Sequence, residues 1–142
     1  MNAQEMWQAS GLTGEYEAWA FGGDGDTLAD LVRRGIKTAT ASAEPLYALE
    51  GEELPRVGEY SVILDTRDNA VCIIRTTKVY VTPYQDVTAE QAYKEGEGDR
   101  SLSYWRRVHE DFFRKEMEAA GLTFTEAMGV VCEEFEVVYG GA

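Results

Sequence analysis

Two runs of β-forming residues, Tyr60-Ser61-Val62-Ile63-Leu64-Asp65 and Ala70-Val71-Cys72-Ile73-Ile74-Arg75-Thr76-Thr77, are separated by the four polar residues Thr66-Arg67-Asp68-Asn69. So short a polar connection predicts a hairpin. The second run continues through Lys78-Val79-Tyr80-Val81-Thr82 to Pro83. Because Val71 to Ile74 is apolar on both faces of an extended chain, its strand belongs in the middle of a closed or covered sheet. A last run, Gly129 to Tyr139, must find a place in that sheet, as must a short extended stretch over Tyr16 to Phe21.

Helical patterns surround this β-rich middle. Residues 2 to 10 carry Met6 and Trp7 as apolar anchors and stop at Gly11. Thr27 to Arg34 places Leu28, Leu31 and Val32 on one face, with Asp26 or Thr27 as the expected cap and Gly35 as the stop. Ala43 to Glu50 reads as a short helix or turn, and Asp86 to Tyr93 as a short capped helix. Ser101 to Ala120 is the longest, with Leu102, Trp105, Val108, Phe112 and Ala119 at helical spacing and Asp99 or Ser101 as cap. Five strands, three or four helices and no regular βαβ alternation predict an α+β fold: a mostly antiparallel, barrel-like sheet with flanking helices. At 142 residues the chain is expected to be a single domain, 1–142, with its core over about 19–139 and the N-terminal helix appended.

Charge narrows the partners. Asp plus Glu number 26 against 13 Lys plus Arg, a formal net of -13. Such a chain is a poor general binder of polyanions, and no duplex nucleic acid is expected as a partner. No apolar run is long enough to span a bilayer and the N-terminus lacks a signal-peptide pattern, so no membrane partner and a cytoplasmic location are expected. Cys72 and Cys132 lie inside apolar runs without a CxxC pair, and His109 is the single histidine. No metal site and no cofactor are expected, and buried free thiols suit a reducing compartment.

Two stretches carry chemistry. In Gly35-Ile36-Lys37-Thr38-Ala39-Thr40-Ala41-Ser42, a strand over residues 38 to 42 would turn Thr38, Thr40 and Ser42 one way and Ala39 and Ala41 the other. Lys37, at the junction after the helix, can curl over that hydroxyl face to hold an anion or activate a hydroxyl. The same residues also fit a plain strand preceded by a solvated lysine. The second stretch, Glu95-Gly96-Glu97-Gly98-Asp99-Arg100-Ser101-Leu102-Ser103-Tyr104-Trp105, puts carboxylates on a glycine-hinged loop directly before the long helix.

The two stretches together, with the Leu54-Pro55-Arg56-Val57-Gly58 turn and the hairpin between them, resemble the ASCH domain family of the PUA-like superfamily. The resemblance runs from about Trp19 to Tyr139. It implies a PUA-like β-barrel and an association with RNA and modified nucleosides. One branch of the family resembles an amidohydrolase that removes acetyl from acetylated cytidine with a Thr, a Lys and a Glu; another has ribonuclease activity. Carried over by motif, the Lys is Lys37, the nucleophilic Thr is Thr40 and the acid is Glu97, with Glu95 and Asp99 as alternatives for the acid. Lys37 and Thr40 are three apart and would face opposite sides of an ideal strand, so Lys37 must precede the strand or a bulge must lie between them.

Three functions fit these residues. The first is amide hydrolysis on a small nucleoside-like substrate: a hydroxyl nucleophile needs a neighbouring base, and Lys37 can act as that base or stabilise an oxyanion. The second is an RNA-binding module or a ribonuclease on short single strands, with Trp19, Phe21 and Tyr104 for stacking and Arg100 and Ser101 at the helix start for a phosphate. The third is a regulatory domain that binds a metabolite without turnover. Candidate binding residues are Thr38, Trp19, Arg100, Ser101, Ser103 and Tyr104. Trp105 lies on the apolar stripe and is assigned to the core, and His109, lacking partners in sequence, is set outside the site.

Overall fold

The computed structural model describes residues 1–140. The strands are β1 (Glu17–Ala20), β2 (Ala39–Ala43), β3 (Tyr60–Leu64), β4 (Ala70–Pro83) and β5 (Gly129–Tyr139). The helices are α1 (Ala3–Ser10), α2 (Gly25–Arg33), α3 (Glu44–Glu50), α4 (Ala89–Glu95) and α5 (Leu102–Ala119). All five strands form one sheet in the order β1-β3-β4-β5-β2, with β4 in the middle, where its two apolar faces require it. β1 pairs with β3 in parallel and every other pair is antiparallel.

Local chemistry sets the element ends. Asn2 and Glu5 form a reciprocal capping box on α1, and Gly11 closes it with a positive φ. The hairpin loop is held by the Asp65 carboxylate, which accepts from the backbone N–H groups of Arg67 and Asn69. Asp26 does not cap α2. The helix starts two residues earlier, at Gly25, which frees the Asp26 carboxylate to accept from both the backbone N–H and the hydroxyl of Thr66, tying α2 to the hairpin.

Register shifts at Ile63/Leu64, Ile73/Ile74 and Thr76/Lys78 bend the long strands, because an unpaired residue sharpens the local twist. The result is a curled half-barrel. α1 covers one face through Met6 and Trp7 against Val62 and Ile73, while α2 packs Ala29 and Val32 against Ile63, Cys72 and Ile74. α5 and α4 bury Trp105, Phe113, Met117 and Ala92 against Tyr84, Val130 and Cys132. Cys72 and Cys132 are free, buried thiols. β1 and β2, the two edges, line a shared opening instead of pairing with each other. Among the described residues no helix is long and apolar enough to cross a membrane.

Candidate functional site

Lys37 lies before β2, in the turn that follows α2. Gly35 takes a positive φ of 75°, and the N–H groups of Ile36 and Lys37 both donate to the Leu31 carbonyl. That turn directs the Lys37 side chain inward, where the residue is 2 % exposed. It is not a solvated cation. Its Nζ is 3.0 Å from Glu97 Oε2, 3.3 Å from the Glu95 carbonyl oxygen and 3.6 Å from Glu95 Oε1. An ammonium so far from water needs these acceptors, since burying an uncompensated charge costs several kcal/mol, on the order of the penalty for each ion of a buried pair.

Glu95, the last residue of α4, is as deeply buried as Lys37. Its Oε2 accepts from Trp105 Nε1 at 2.5 Å and from Gln91 Nε2 at 3.1 Å, and its Oε1 is 3.3 Å from His109 Nε2. The His109 Nδ1 is 2.9 Å from the Trp105 carbonyl oxygen, which can only accept, so Nδ1 carries a hydrogen. The other nitrogen, Nε2, faces the Glu95 carboxylate, so both ring nitrogens lie against acceptors. Burial pushes the Glu95 carboxyl up, but the His109 hydrogen bond and the Lys37 charge outweigh it and hold the group below its ordinary range.

Glu95, Glu97 and His109 place potential metal-ligating atoms within 4.8 Å of one another. The Lys37 ammonium stands on both carboxylates and supplies the charge compensation a cation would bring. The framework is tight. A Cβ on Gly96, whose φ is 72°, would lie 2.6 Å from the Ile36 backbone oxygen, so a glycine is required where α4 ends against the Lys37 turn.

Thr40 belongs to two adjoining cavities. The smaller, about 300 Å³, is lined by Lys37, Glu95, Glu97, Tyr104 and His109 as well as Thr40. The larger, about 690 Å³, occupies the opening between β1 and β2, and its lining includes Trp19, Ser42, Ser61, Thr76 and Glu133. Phe21, Ala41 and Phe112 line both. The Thr40 hydroxyl has no side-chain hydrogen bond among the described residues, although its carbonyl accepts from Gln91 Nε2 at 3.2 Å. Across the β2–β5 ladder Thr40 is opposite Glu133. Burial raises the Glu133 carboxyl from 4.5 to about 7, against a 3.4 Å hydrogen bond from Thr76 that lowers it.

The remaining residues singled out in the sequence divide. Trp19 and Tyr104 line the larger and smaller cavity respectively. Thr38 does not join Thr40: it precedes the strand, its backbone N–H and hydroxyl both donate to the Lys94 carbonyl, and it lines a separate surface groove. Arg100 stacks 3.7 Å over the Tyr93 ring and donates to the Tyr93 and Ile36 carbonyls, so its guanidinium locks the loop together and lines neither cavity. Ser101 caps α5 by accepting from the Tyr104 N–H, and Ser103 is exposed on the helix surface. Of the three loop acids, Asp99 accepts from the Ser101 N–H at the surface, whereas Glu95 and Glu97 meet Lys37. His109 and Glu133 were not among the expected site residues. A histidine one helical turn after Trp105 was the available signal for the first; the second had none stronger than a Glu in an apolar strand.

A curled, mostly antiparallel half-barrel with outer helices and a buried lysine at its mouth defines a PUA-like α+β domain. An ASCH domain family model matches residues 17–139, and the chain belongs to that family. An ASCH domain from Lactobacillus crispatus JV V101 superposes with a TM-score of 0.91 at 34% identity, covering 96% of this chain and 93% of that one. A protein from Enterococcus faecalis V583 gives 0.86 at 38% identity, covering 96% and 85%. A third structure, a hypothetical protein at 14% identity and a TM-score of 0.58, shares the fold alone. No curated protein matches the chain in sequence.

Proposed function

We propose that this chain is an amide hydrolase acting on a modified nucleoside such as acetylated cytidine. The observation that carries the reading is the buried Lys37–Glu97 pair, which lines the same cavity as the unpartnered Thr40 hydroxyl. All the Lys37 contacts are to acceptors, which suits it to donate to an oxyanion instead of taking a proton. Glu95 is saturated by Trp105, Gln91 and His109, whereas the Glu97 side chain remains 18% exposed. Glu97 is therefore the carboxylate free to handle a proton.

In the proposed reaction the Thr40 oxygen forms a bond to the amide carbonyl carbon while its proton passes to Glu97. The carbonyl electron pair moves onto oxygen, where Lys37 stabilises it. Collapse breaks the C–N bond, and the Glu97 proton goes to the leaving amine. Water then hydrolyses the acyl ester on Thr40 by the same route. Chemistry of this kind requires no metal or cofactor.

The test is turnover of N4-acetylcytidine followed by chromatography. Thr40→Ala, Lys37→Ala and Glu97→Gln should each lower kcat on the order of a thousandfold, and any two together should cost little more than one. Full activity in folded Thr40→Ala would end the nucleophile assignment. ASCH domains are commonly RNA-binding, so short single-stranded RNA is the comparison substrate: its cleavage, without turnover of the nucleoside, would put a ribonuclease in place of the hydrolase.

A further inference from the structure

Gln91 is a buried polar side chain that lies against the site without lining either cavity. It stands on α4, one helical turn before Glu95, and is 2% exposed. Its Nε2 donates to the Thr40 backbone carbonyl at 3.2 Å and to Glu95 Oε2 at 3.1 Å, and its Oε1 accepts from the Tyr80 hydroxyl at 3.2 Å. Two donor hydrogens meet two acceptors and the oxygen meets a donor, so the amide has one orientation: turned over, its oxygen would face a carbonyl and a carboxylate. Those bonds fall on the two halves of the proposed machinery. Thr40 carries the nucleophile on β2, an edge strand whose only ladder is to β5. Glu95 holds the Lys37 ammonium, 3.6 Å from its Oε1 and 3.3 Å from its carbonyl oxygen. α4 also grips the chain at Thr38, through the Lys94 carbonyl, but that contact precedes the strand. Gln91 fixes β2 at the reacting residue itself. An apolar side chain of similar volume would fill the same space on α4 and break the link.

We propose that Gln91 is a positioning residue for the hydrolysis: its one amide holds the Thr40 strand and the carboxylate that carries Lys37 at a fixed separation, so that hydroxyl and ammonium converge on the same carbonyl group. It acts through Thr40 and Glu95 and touches no reacting atom. A misplacement of about 1 Å in such a constellation costs about a hundredfold in rate, so loss of the amide falls on the chemical step. Substrate binding is spared, because Gln91 lines neither cavity. This role rests on the hydrolase reading of the site.

The experiment measures initial rates of the full chain on N4-acetylcytidine over a range of concentrations, at a temperature where circular dichroism shows every variant folded. Gln91→Met keeps the bulk and removes the amide; its kcat should fall about 10- to 100-fold while KM stays within about twofold of wild type. Val62→Ala, which opens the core under α1 and lines neither cavity, is the control for lost stability: its Tm should fall and its kcat should not. A kcat of folded Gln91→Met within about twofold of wild type overturns the proposal, as does a KM that rises as far as kcat falls, or an equal loss of kcat in Val62→Ala. Should Gln91→Met not fold, Tyr80→Phe decides, since it takes the donor from the amide oxygen: a lower kcat at unchanged KM supports the role, and an unchanged kcat overturns it. Wild type that releases no cytidine removes the hydrolase and this role with it, whereas active wild type with an equally active Gln91→Met removes this role alone.

Discussion

Replacing Glu133 by Gln should make this protein more stable, and by an amount that depends on pH. The carboxyl sits inside the half-barrel on β5, where burial raises it from 4.5 to about 7. In the unfolded chain it ionises near its ordinary value. Between the two values the folded state holds a proton that the unfolded state has lost, so stability falls as pH rises through this window. Below about pH 4 the group costs nothing; above about pH 8 it is charged in both states and its full cost, about 3 kcal/mol, is present. Gln keeps the shape and can still accept from Thr76, but it cannot ionise. Urea unfolding of both proteins at pH 5 and pH 8 isolates this one group, because every other titration cancels in the difference. From pH 5 to pH 8 the wild type should lose about 2–3 kcal/mol more than the variant. Parallel pH profiles would refute the placement of this carboxyl in a desolvated wall.

Further outcomes follow from the Lys37 cluster and its supports. Lys37→Met leaves Glu95 and Glu97 without their cation and should cost about 3–5 kcal/mol in urea unfolding at neutral pH; a loss below 1 kcal/mol, about the worth of an exposed pair, would mean the ion pair is not buried. Gly96→Ala places a Cβ against the Ile36 carbonyl at a positive φ, so it should lower Tm by several degrees and reduce activity together with stability. An unchanged Tm would contradict the close approach. Ser101→Ala removes the α5 cap and should cost about 1 kcal/mol with little effect on kcat once folded, read from unfolding and initial rates. Because the Glu95 carboxyl lies below its ordinary range when folded, its contribution is present above about pH 4.5 and lost as pH falls through the folded value. Acid titration of tryptophan fluorescence should show that loss in wild type and not in Glu95→Gln.

The sequence is informative where a single residue or period decides the outcome. Gly35 and Gly96 end helices at positive φ, the Asp65 loop makes the hairpin, and the two-faced apolar run of β4 demands the centre of the sheet. The Lys37 and Glu97 stretches meet because the β2–β5 and β5–β4 pairings draw the α2 turn toward the α4–α5 loop, and a motif match foreshadows that meeting. The parallel pairing of β1 with β3 has no local signal, since four residues cannot announce their neighbour. Parity was hidden too. Of Glu133 and Glu134, adjacent on β5, one must face inward and the other out; only the register with β2 sends Glu133 into the cavity and Glu134 toward Lys94 and Lys78. For the same reason Thr38 drops out of the hydroxyl face, because β2 begins at Ala39 and the Lys94 carbonyl takes both its donors. His109 joins the cluster through tertiary packing, with its ring stacked on Trp105 at 4.2 Å.

Covalent trapping tests the Lys37–Thr40–Glu97 site most directly. The full chain is mixed with N4-acetylcytidine, quenched in acid within the first turnover, digested and weighed by mass spectrometry. The predicted result is one acetyl group on the peptide holding Thr40, absent from Thr40→Ala and strongly reduced in Glu97→Gln, which has lost the acceptor of the Thr40 proton. Release of cytidine with no acetyl on that peptide at any quench time would contradict nucleophilic attack by Thr40.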